Sequence, residues 1–360
     1  GLTYATYYLN RYNLSFCSTA ICQTFGFNNT QYGAISAGRS WSYAIGQFFN
    51  GLIADRIGGK QAMAIGGYGT AVLNILFGLG WYTRSLGPLF GTLAWFVAIR
   101  SIDGYIQAFG APGMIKINTA WFARAERGGF AGIFGAMINI GRLATNALIP
   151  AILAGFTLWS HTLPPGHWQF AFFIPAGIMV VMTTLMLLLV SPTPEQAGHP
   201  DQIPLETGEA PDNTPLPFSL VFRTIMSNPL VWLTAWAYFC TGVVRAGVDE
   251  WFPKYFHEVR GLDLHHHAVR WVAYGIPVAA TAGSIISGYV SDLFFRGRRA
   301  PVAAFLYFVE TAILIIGAQL SSLLAVSITL VLIAFTCNAT HSILGAAAPM
   351  DFGGRKMAGF

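Results

Sequence analysis

The chain has 360 residues, of which 54% are hydrophobic and only 10% charged, far from the charged fraction of about a quarter usual in a soluble domain. That excludes a soluble globular domain and points to an integral membrane protein. The net charge of +5 would suggest nucleic acid as a partner only if the basic residues gathered on a soluble face; they sit in short loops.

Apolar runs of roughly twenty residues recur, the length a helix needs to cross a bilayer, whereas barrel strands alternate over about ten. Ten spanning helices are predicted, near residues 1–24, 31–54, 61–82, 88–115, 129–158, 169–190, 228–257, 267–290, 301–320 and 323–349. The chain opens inside a helix without a cleavable leader, and Phe360 stands where an eleventh span would begin. Cys17, Cys22, Cys240 and Cys337 lie in or near apolar segments without metal-ligand spacing and read as core residues.

The first span carries a permanent cation, Arg11, between apolar runs, and nothing acidic precedes Asp55. At helical pitch Tyr4, Tyr8 and Arg11 share one face. A charge at bilayer depth costs at least a few kcal/mol, so it faces a water-filled cavity or a partner. The seventh span carries a second such cation, Arg245, followed by Asp249, Glu250 and Lys254.

Lysine and arginine sort by side. Arg56 and Lys60, Arg124 and Arg127, Arg296, Arg298 and Arg299, and Arg355 and Lys356 occupy alternate loops, while Arg84, Lys254 and Arg260 occupy the others. By the positive-inside rule the richer loops and both chain ends are cytoplasmic. Ser191 to Asn228, rich in Pro, Glu, Asp, Thr and Gly, reads as a linker. The expected organisation is a six-helix half over 1–190, a cytoplasmic linker over 191–227, and a second half over 228–360 that lacks its last two helices.

The halves repeat. Gly51-Leu-Ile-Ala-Asp55-Arg56-Ile-Gly-Gly-Lys60 ends the second span and Gly288-Tyr-Val-Ser-Asp292-Leu-Phe-Phe-Arg296-Gly-Arg298 ends the eighth, an offset of 292 − 55 = 237. Arg11 and Arg245 are separated by 245 − 11 = 234. Parallel six-helix repeats place a substrate site near the midplane between halves. Two guanidiniums at related depths suit an oxyanion with several acceptor oxygens, because each offers a rigid fork of donors and keeps its proton. Phosphate or a phosphate ester is the first expectation and carboxylate the second.

The Gly51 to Lys60 loop resembles the signature loop of the major facilitator superfamily, with the Asp292 loop as its looser second copy. Within that superfamily Tyr7-Tyr8-Leu9-x-Arg11-x-Asn13, Ala125-Glu-Arg-Gly-Gly129, Thr193-Pro-Glu-Gln-x-Gly198, Arg245-x-Gly247-x-x-x-Trp251-x-Pro253-x-Tyr255 and Ser291-Asp-x-x-Phe-Arg296-Gly-x-Arg299 resemble the organophosphate:phosphate antiporters. The resemblance implies an all-α major facilitator fold of two six-helix halves related by a pseudo-twofold axis. It implies exchange of a phosphorylated metabolite for inorganic phosphate, a monomer in the inner or plasma membrane, and no cofactor or metal. Arg11 and Arg245 would hold the phosphate, with Tyr4, Tyr8, Tyr43, Gln47 and Glu250 at the cavity. Asp249 or Glu250 would pair with Arg245 or Lys254 when the site is empty. Where the glycerol-3-phosphate transporter of that family has lysine, lysine and histidine, this chain has Tyr12, Gln47 and about Ile138, which argues against carrying its substrate over. A sugar-phosphate sensor of the same family and an organic-anion symporter are the alternatives.

The signature-loop residues Asp55, Arg56, Lys60, Asp292 and Arg296 read as gating residues, with Asp55 paired to Arg56 and Asp292 to Arg296. Arg39, Arg100, Asp103, Arg142 and Glu310 read either as cavity groups or as interhelical contacts, and Gln107 and Asn139 as cavity groups or interhelical glue. His265-His266-His267 reads as a solvated turn rather than a metal site, and Asn28-Asn29-Thr30 as a helix cap rather than a glycosylation site. Nucleophile, base and oxyanion donors do not assemble in any pattern that would support an enzyme.

Overall fold

The computed structural model describes residues 1–83, 89, 91–121, 127–158, 161–198, 226–295 and 299–344; the side chains of 119, 127–136, 156–158, 161–162, 195, 292 and 299 lie outside that description. Arg296, Arg298, Arg355, Lys356, Arg124, Arg84 and most of the expected linker therefore lie outside the described residues. The chain separates into two compact units, Gly1–Pro204 and Leu205–Phe360.

In the first unit α1 (Leu2–Phe25) packs on α6 (Arg127–Ala154) and α7 (Phe170–Leu189), and α2 (Asn29–Ile57) packs on α4 (Leu93–Gln107). Between them, α3 (Gly59–Leu79) meets α4, α5 (Gly110–Trp121) and α7. Asn28 starts α2 with a reciprocal cap: its side chain accepts from the Gln31 N–H while the Gln31 side chain accepts from the Asn28 N–H. The signature loop turns from α2 into α3 on a single residue, Gly58, at φ +91°, a backbone region that a side chain makes costly. Trp168 is fully buried under an aromatic cap of Phe25, Phe77, Phe96 and Phe172.

Three expectations about the elements are corrected. The fourth span is not one helix over 88–115 but two pieces, α4 and α5, broken at Ala108 and Phe109 and running on to Trp121. Pro112 explains the break, since it has no N–H for the Ala108 carbonyl four residues earlier and its ring crowds that carbonyl. The fifth span stops at Ala154, and an antiparallel hairpin of β1 (Phe156–Leu158) and β2 (His161–Leu163) follows where helix was expected. Gly155 at φ +79° makes that exit. The seventh span, α8 (Pro229–Arg260), runs three residues beyond its predicted end of 257 before Gly261 closes it in the left-handed region.

In the second unit α11 (Leu323–Ser342) is the hub, packed against α8, α9 (His267–Phe295) and α10 (Arg299–Gly317). Small residues bring these helices together, as they do where lipid supplies no hydrophobic driving force. A Cβ on Gly283 of α9 would meet the Phe335 carbonyl of α11. In the first unit a Cβ on Gly46 of α2 would lie 2.7 Å from Ala108 Cβ and 3.0 Å from the Tyr105 carbonyl. These two glycines stand 283 − 46 = 237 apart, the spacing of the signature aspartates.

Among the described residues, six helical segments combine the length and the apolar composition to cross a membrane: 59–82, 137–154, 170–189, 267–295, 300–317 and 323–342. The arginine-bearing α1 and α8, 24 and 32 residues long, have the length but carry more polar side chains. One buried amide of the first unit is tied to a carbonyl that proline has freed. Pro175 leaves the Ala171 carbonyl without its helical donor, and the buried Asn13 amide donates to it at 3.2 Å. All four cysteines are free; Cys17, Cys22 and Cys337 are buried as expected, but Cys240 is exposed on α8.

Candidate functional site

Helical pitch brings Tyr4, Tyr8 and Arg11 to one face of α1, as predicted. The Tyr4 and Tyr8 rings are edge to face with centroids 5.8 Å apart, and the Arg11 guanidinium lies 4.9 Å from the Tyr8 centroid. Tyr43 of α2 covers the cation from another side at 4.5 Å. Arg11 is thus cradled between two phenol faces, an arrangement that holds a cation without neutralising it.

Its hydrogen bonding comes from α4. Arg11 Nε donates to Gln107 Oε1 at 3.0 Å, and Gln107 Nε2 donates to Asp103 Oδ2 at 3.0 Å. The same carboxylate oxygen accepts from Arg100 Nη1 at 2.9 Å. Arg100 in turn donates to the backbone of α1, from Nη1 to the Asn10 carbonyl at 3.3 Å and from Nη2 to the Arg11 carbonyl at 3.0 Å. The circuit therefore closes on the residue from which it began. Arg100, Asp103 and Gln107 are buried to 1%, 0% and 1% exposure, so they are interhelical contacts that fix Arg11. Arg11 Nη2 is enclosed and has no hydrogen-bond partner among the described residues.

Gln47 serves a different part of the structure. Its Nε2 donates to the Ala108 carbonyl at 3.1 Å, the group that Pro112 deprives of a helical donor. Tyr7 is likewise structural, its hydroxyl donating to the Met63 carbonyl at 2.7 Å. Arg142 of α6, buried, stands 5.6 Å from the Tyr12 ring on the same helix as Arg11.

In the second unit Arg245 is 18% exposed, and its Nε lies 3.7 Å from Asp249 Oδ2. Asp249 is thus ion-paired with this arginine, and Glu250, one residue along, is buried. Lys254 pairs with Glu258 at 2.7 Å, a partner one helical turn further along α8. His341 of α11 also meets Arg245, its Nε2 accepting from Arg245 Nη1 at 3.2 Å. No motif marks it, because its proximity to Arg245 depends on how α11 packs against α8.

The residues expected at the gate divide. Asp55 pairs with Lys116 of α5 at 3.1 Å, not with Arg56 as expected. Lys116 Nζ also donates to the Ala54 and Asp55 carbonyls at 3.2 and 2.7 Å, which satisfies the open carbonyl end of α2. Arg56 is exposed and Lys60 half-buried at the start of α3. The Asp292 side chain and Arg296 lie outside the described residues. His266 caps α9, its Nδ1 accepting from the Ala268 N–H at 3.2 Å.

A fold that is helical but for one short hairpin among the described residues, with a motif-bearing α2–α3 turn and a partly buried arginine in α1, defines a facilitator-type membrane transporter, and the chain belongs to the Major Facilitator Superfamily, whose profile matches residues 1–360. It is a multi-pass protein of the inner or plasma membrane. It is 29% identical to the glycerol-3-phosphate transporter of Bacillus subtilis over 99% of this chain and 78% of that protein. It is also 26% identical to the membrane sensor protein UhpC of Salmonella typhimurium and 27% identical to the phosphoglycerate transporter protein of the same species, each over 84% of this chain. The chain spans 64% of the length of each of those two relatives. These relatives are those of the organophosphate:phosphate antiporter family that the motifs resemble. A bacterial homologue of the human lysosomal transporter Spinster shares the fold, with a TM-score of 0.75 at 16% identity, over 97% of this chain and 73% of that one.

Proposed function

We propose that this protein carries a phosphorylated metabolite across the membrane in exchange for inorganic phosphate, by alternating access of a six-helix half over 1–190 against a second half over 228–360. Residues 191–227 act as the cytoplasmic linker, both ends of the chain face the cytoplasm, and the protein works as a monomer. The substrate is of the glycerol phosphate, sugar phosphate or phosphoglycerate type.

The observation that carries this reading is Arg11. A guanidinium held by Gln107 and two tyrosine rings, with Nη2 enclosed and unpartnered among the described residues, is a donor kept for a guest. Arg245 supplies the equivalent group in the repeat. The fork of donors on each arginine matches two phosphate oxygens. Tyr4, Tyr8 and Tyr43 line the Arg11 side, Glu250 and Asp249 neighbour Arg245, and Gln47 contributes through the α4–α5 break. Asp55, Arg56, Lys60, Asp292 and Arg296 act at the gate.

The test is exchange in proteoliposomes loaded with labelled inorganic phosphate. The outside panel holds glycerol 3-phosphate, hexose 6-phosphates, phosphoglycerates and unphosphorylated dicarboxylates. A phosphate ester should drive efflux, and Arg11→Lys and Arg245→Lys should each abolish it. The similarity to a membrane sensor supports a second reading, in which a phosphate ester binds without sustained flux. Efflux driven only by dicarboxylates would instead favour the symporter.

A further inference from the structure

The contact between Arg245 and His341 constrains the protonation of the histidine. A guanidinium has donors only and keeps its charge, so at 3.2 Å from Arg245 Nη1 the Nε2 of His341 must be an acceptor. The imidazole is then neutral and carries its proton on Nδ1. Protonating Nε2 would turn this contact into two cations at hydrogen-bond distance. An anion seated between them would reverse the sign of that interaction, because both N–H groups could then point at its oxygens.

Polar groups from three helices surround His341. From α8, Tyr238 stacks on the ring at 4.7 Å with its hydroxyl 3.0 Å from Nε2, Arg245 stands beside it, and Asp249 lies behind Arg245 at 3.7 Å. From α10, Glu310 is buried and accepts from Cys337 Sγ at 3.0 Å, one helical turn before His341. Tyr307 of α10 donates to the Ala237 carbonyl at 2.6 Å. From α9, the Ser284 and Ser287 hydroxyls donate to the carbonyls of Asn338 and Ala339 at 3.1 and 3.3 Å. His341 and Arg245 are both partly exposed.

We propose that His341 is a protonatable second cation of the Arg245 anion site, so that docking of a phosphate group is coupled to uptake of one proton. The proton comes from solution and is taken at Nε2. That N–H turns from Arg245 to a phosphate oxygen, and imidazolium and guanidinium hold the anion together. When the anion leaves, the proton returns to solution and Nε2 again accepts from Arg245. This deepens the phosphate reading and rests on it. The ligand class is a dianionic phosphate group plus a proton.

The test is isothermal titration of the purified protein with inorganic phosphate between pH 5.5 and 8, in buffers of different ionisation enthalpy, which counts the protons taken up per phosphate bound. Once the phosphate's own titration is subtracted, wild type should take up about one proton per phosphate bound, and its affinity for the phosphate dianion should rise by up to about tenfold for each unit of pH lowered through the linked range. His341→Gln should lose both the extra proton and the extra pH dependence. His341→Lys, which keeps a cation without titrating there, should bind phosphate with no extra proton. Equal proton uptake in wild type and either variant would overturn the proposal, as would uptake in wild type no greater than the phosphate's own. Failure of wild type to bind phosphate at any pH would overturn the phosphate reading, and the coupling with it.

Discussion

Asp103→Asn should destabilise the protein and weaken anion binding, although Asp103 lies outside the proposed clamp. Both hydrogen bonds to this carboxylate, from Arg100 at 2.9 Å and Gln107 at 3.0 Å, converge on Oδ2. An asparagine oxygen in that place would still accept both, but as a neutral acceptor. Hydrogen bonds to a charged group contribute about 1.5–3 kcal/mol against about 0.5–1.5 for neutral ones, so two such exchanges cost roughly 2 kcal/mol. Arg100, at 1% exposure, also loses its buried countercharge, and removing one partner of a buried pair costs about 3–5 kcal/mol. A loss of about 3 kcal/mol follows, seen as a fall in Tm of about 5 °C for a chain of this size.

Thermal unfolding of the purified protein, followed by tryptophan fluorescence, measures that loss. The double variant Arg100→Met, Asp103→Leu separates the two roles, because apolar replacement of a buried pair is often neutral or stabilising. It should recover most of the Tm but not phosphate exchange, since the donors to the Asn10 and Arg11 carbonyls and the Gln107 anchor are gone. Asp103→Asn with an unchanged Tm would refute the energetic argument. Full exchange activity in the double variant would refute the claim that this circuit positions Arg11.

Further outcomes follow from named contacts. Gln107→Leu removes the acceptor that holds Arg11 Nε while leaving both arginines in place, and phosphate affinity measured by titration should fall roughly tenfold. Gln47→Leu leaves the Ala108 carbonyl unsatisfied and should cost about 1–3 kcal/mol; adding Pro112→Ala, which restores a helical donor to that carbonyl, should recover it in the same unfolding assay. Gly283→Ala drives a Cβ into the Phe335 carbonyl and should cost about 1–3 kcal/mol. Gly51→Ala, with nothing within 4 Å of the new Cβ, should be neutral or stabilising by up to about 1 kcal/mol.

The sequence by itself determined the class of fold and the two arginines. A charge in an apolar run, a motif loop that recurs 237 residues later and a matching pair of arginines within apolar spans are linear features, and each follows from the cost of charge and open backbone in lipid. The face shared by Tyr4, Tyr8 and Arg11 was legible for the same reason, since helical pitch is fixed locally. The ends of elements were less so. Pro112 was visible as a residue, but the break it makes needed the neighbouring Gln47 amide to stabilise the freed carbonyl.

Only the tertiary structure decided which partners those charges take. Lys116 lies 61 residues from Asp55, Gln107 lies 96 from Arg11, and His341 lies 96 from Arg245. No periodicity within one helix encodes such distances. Each partner is selected by the direction in which a packed neighbour presents its side chain, and that is set by the small residues at Gly46 and Gly283 that let helices approach to backbone contact.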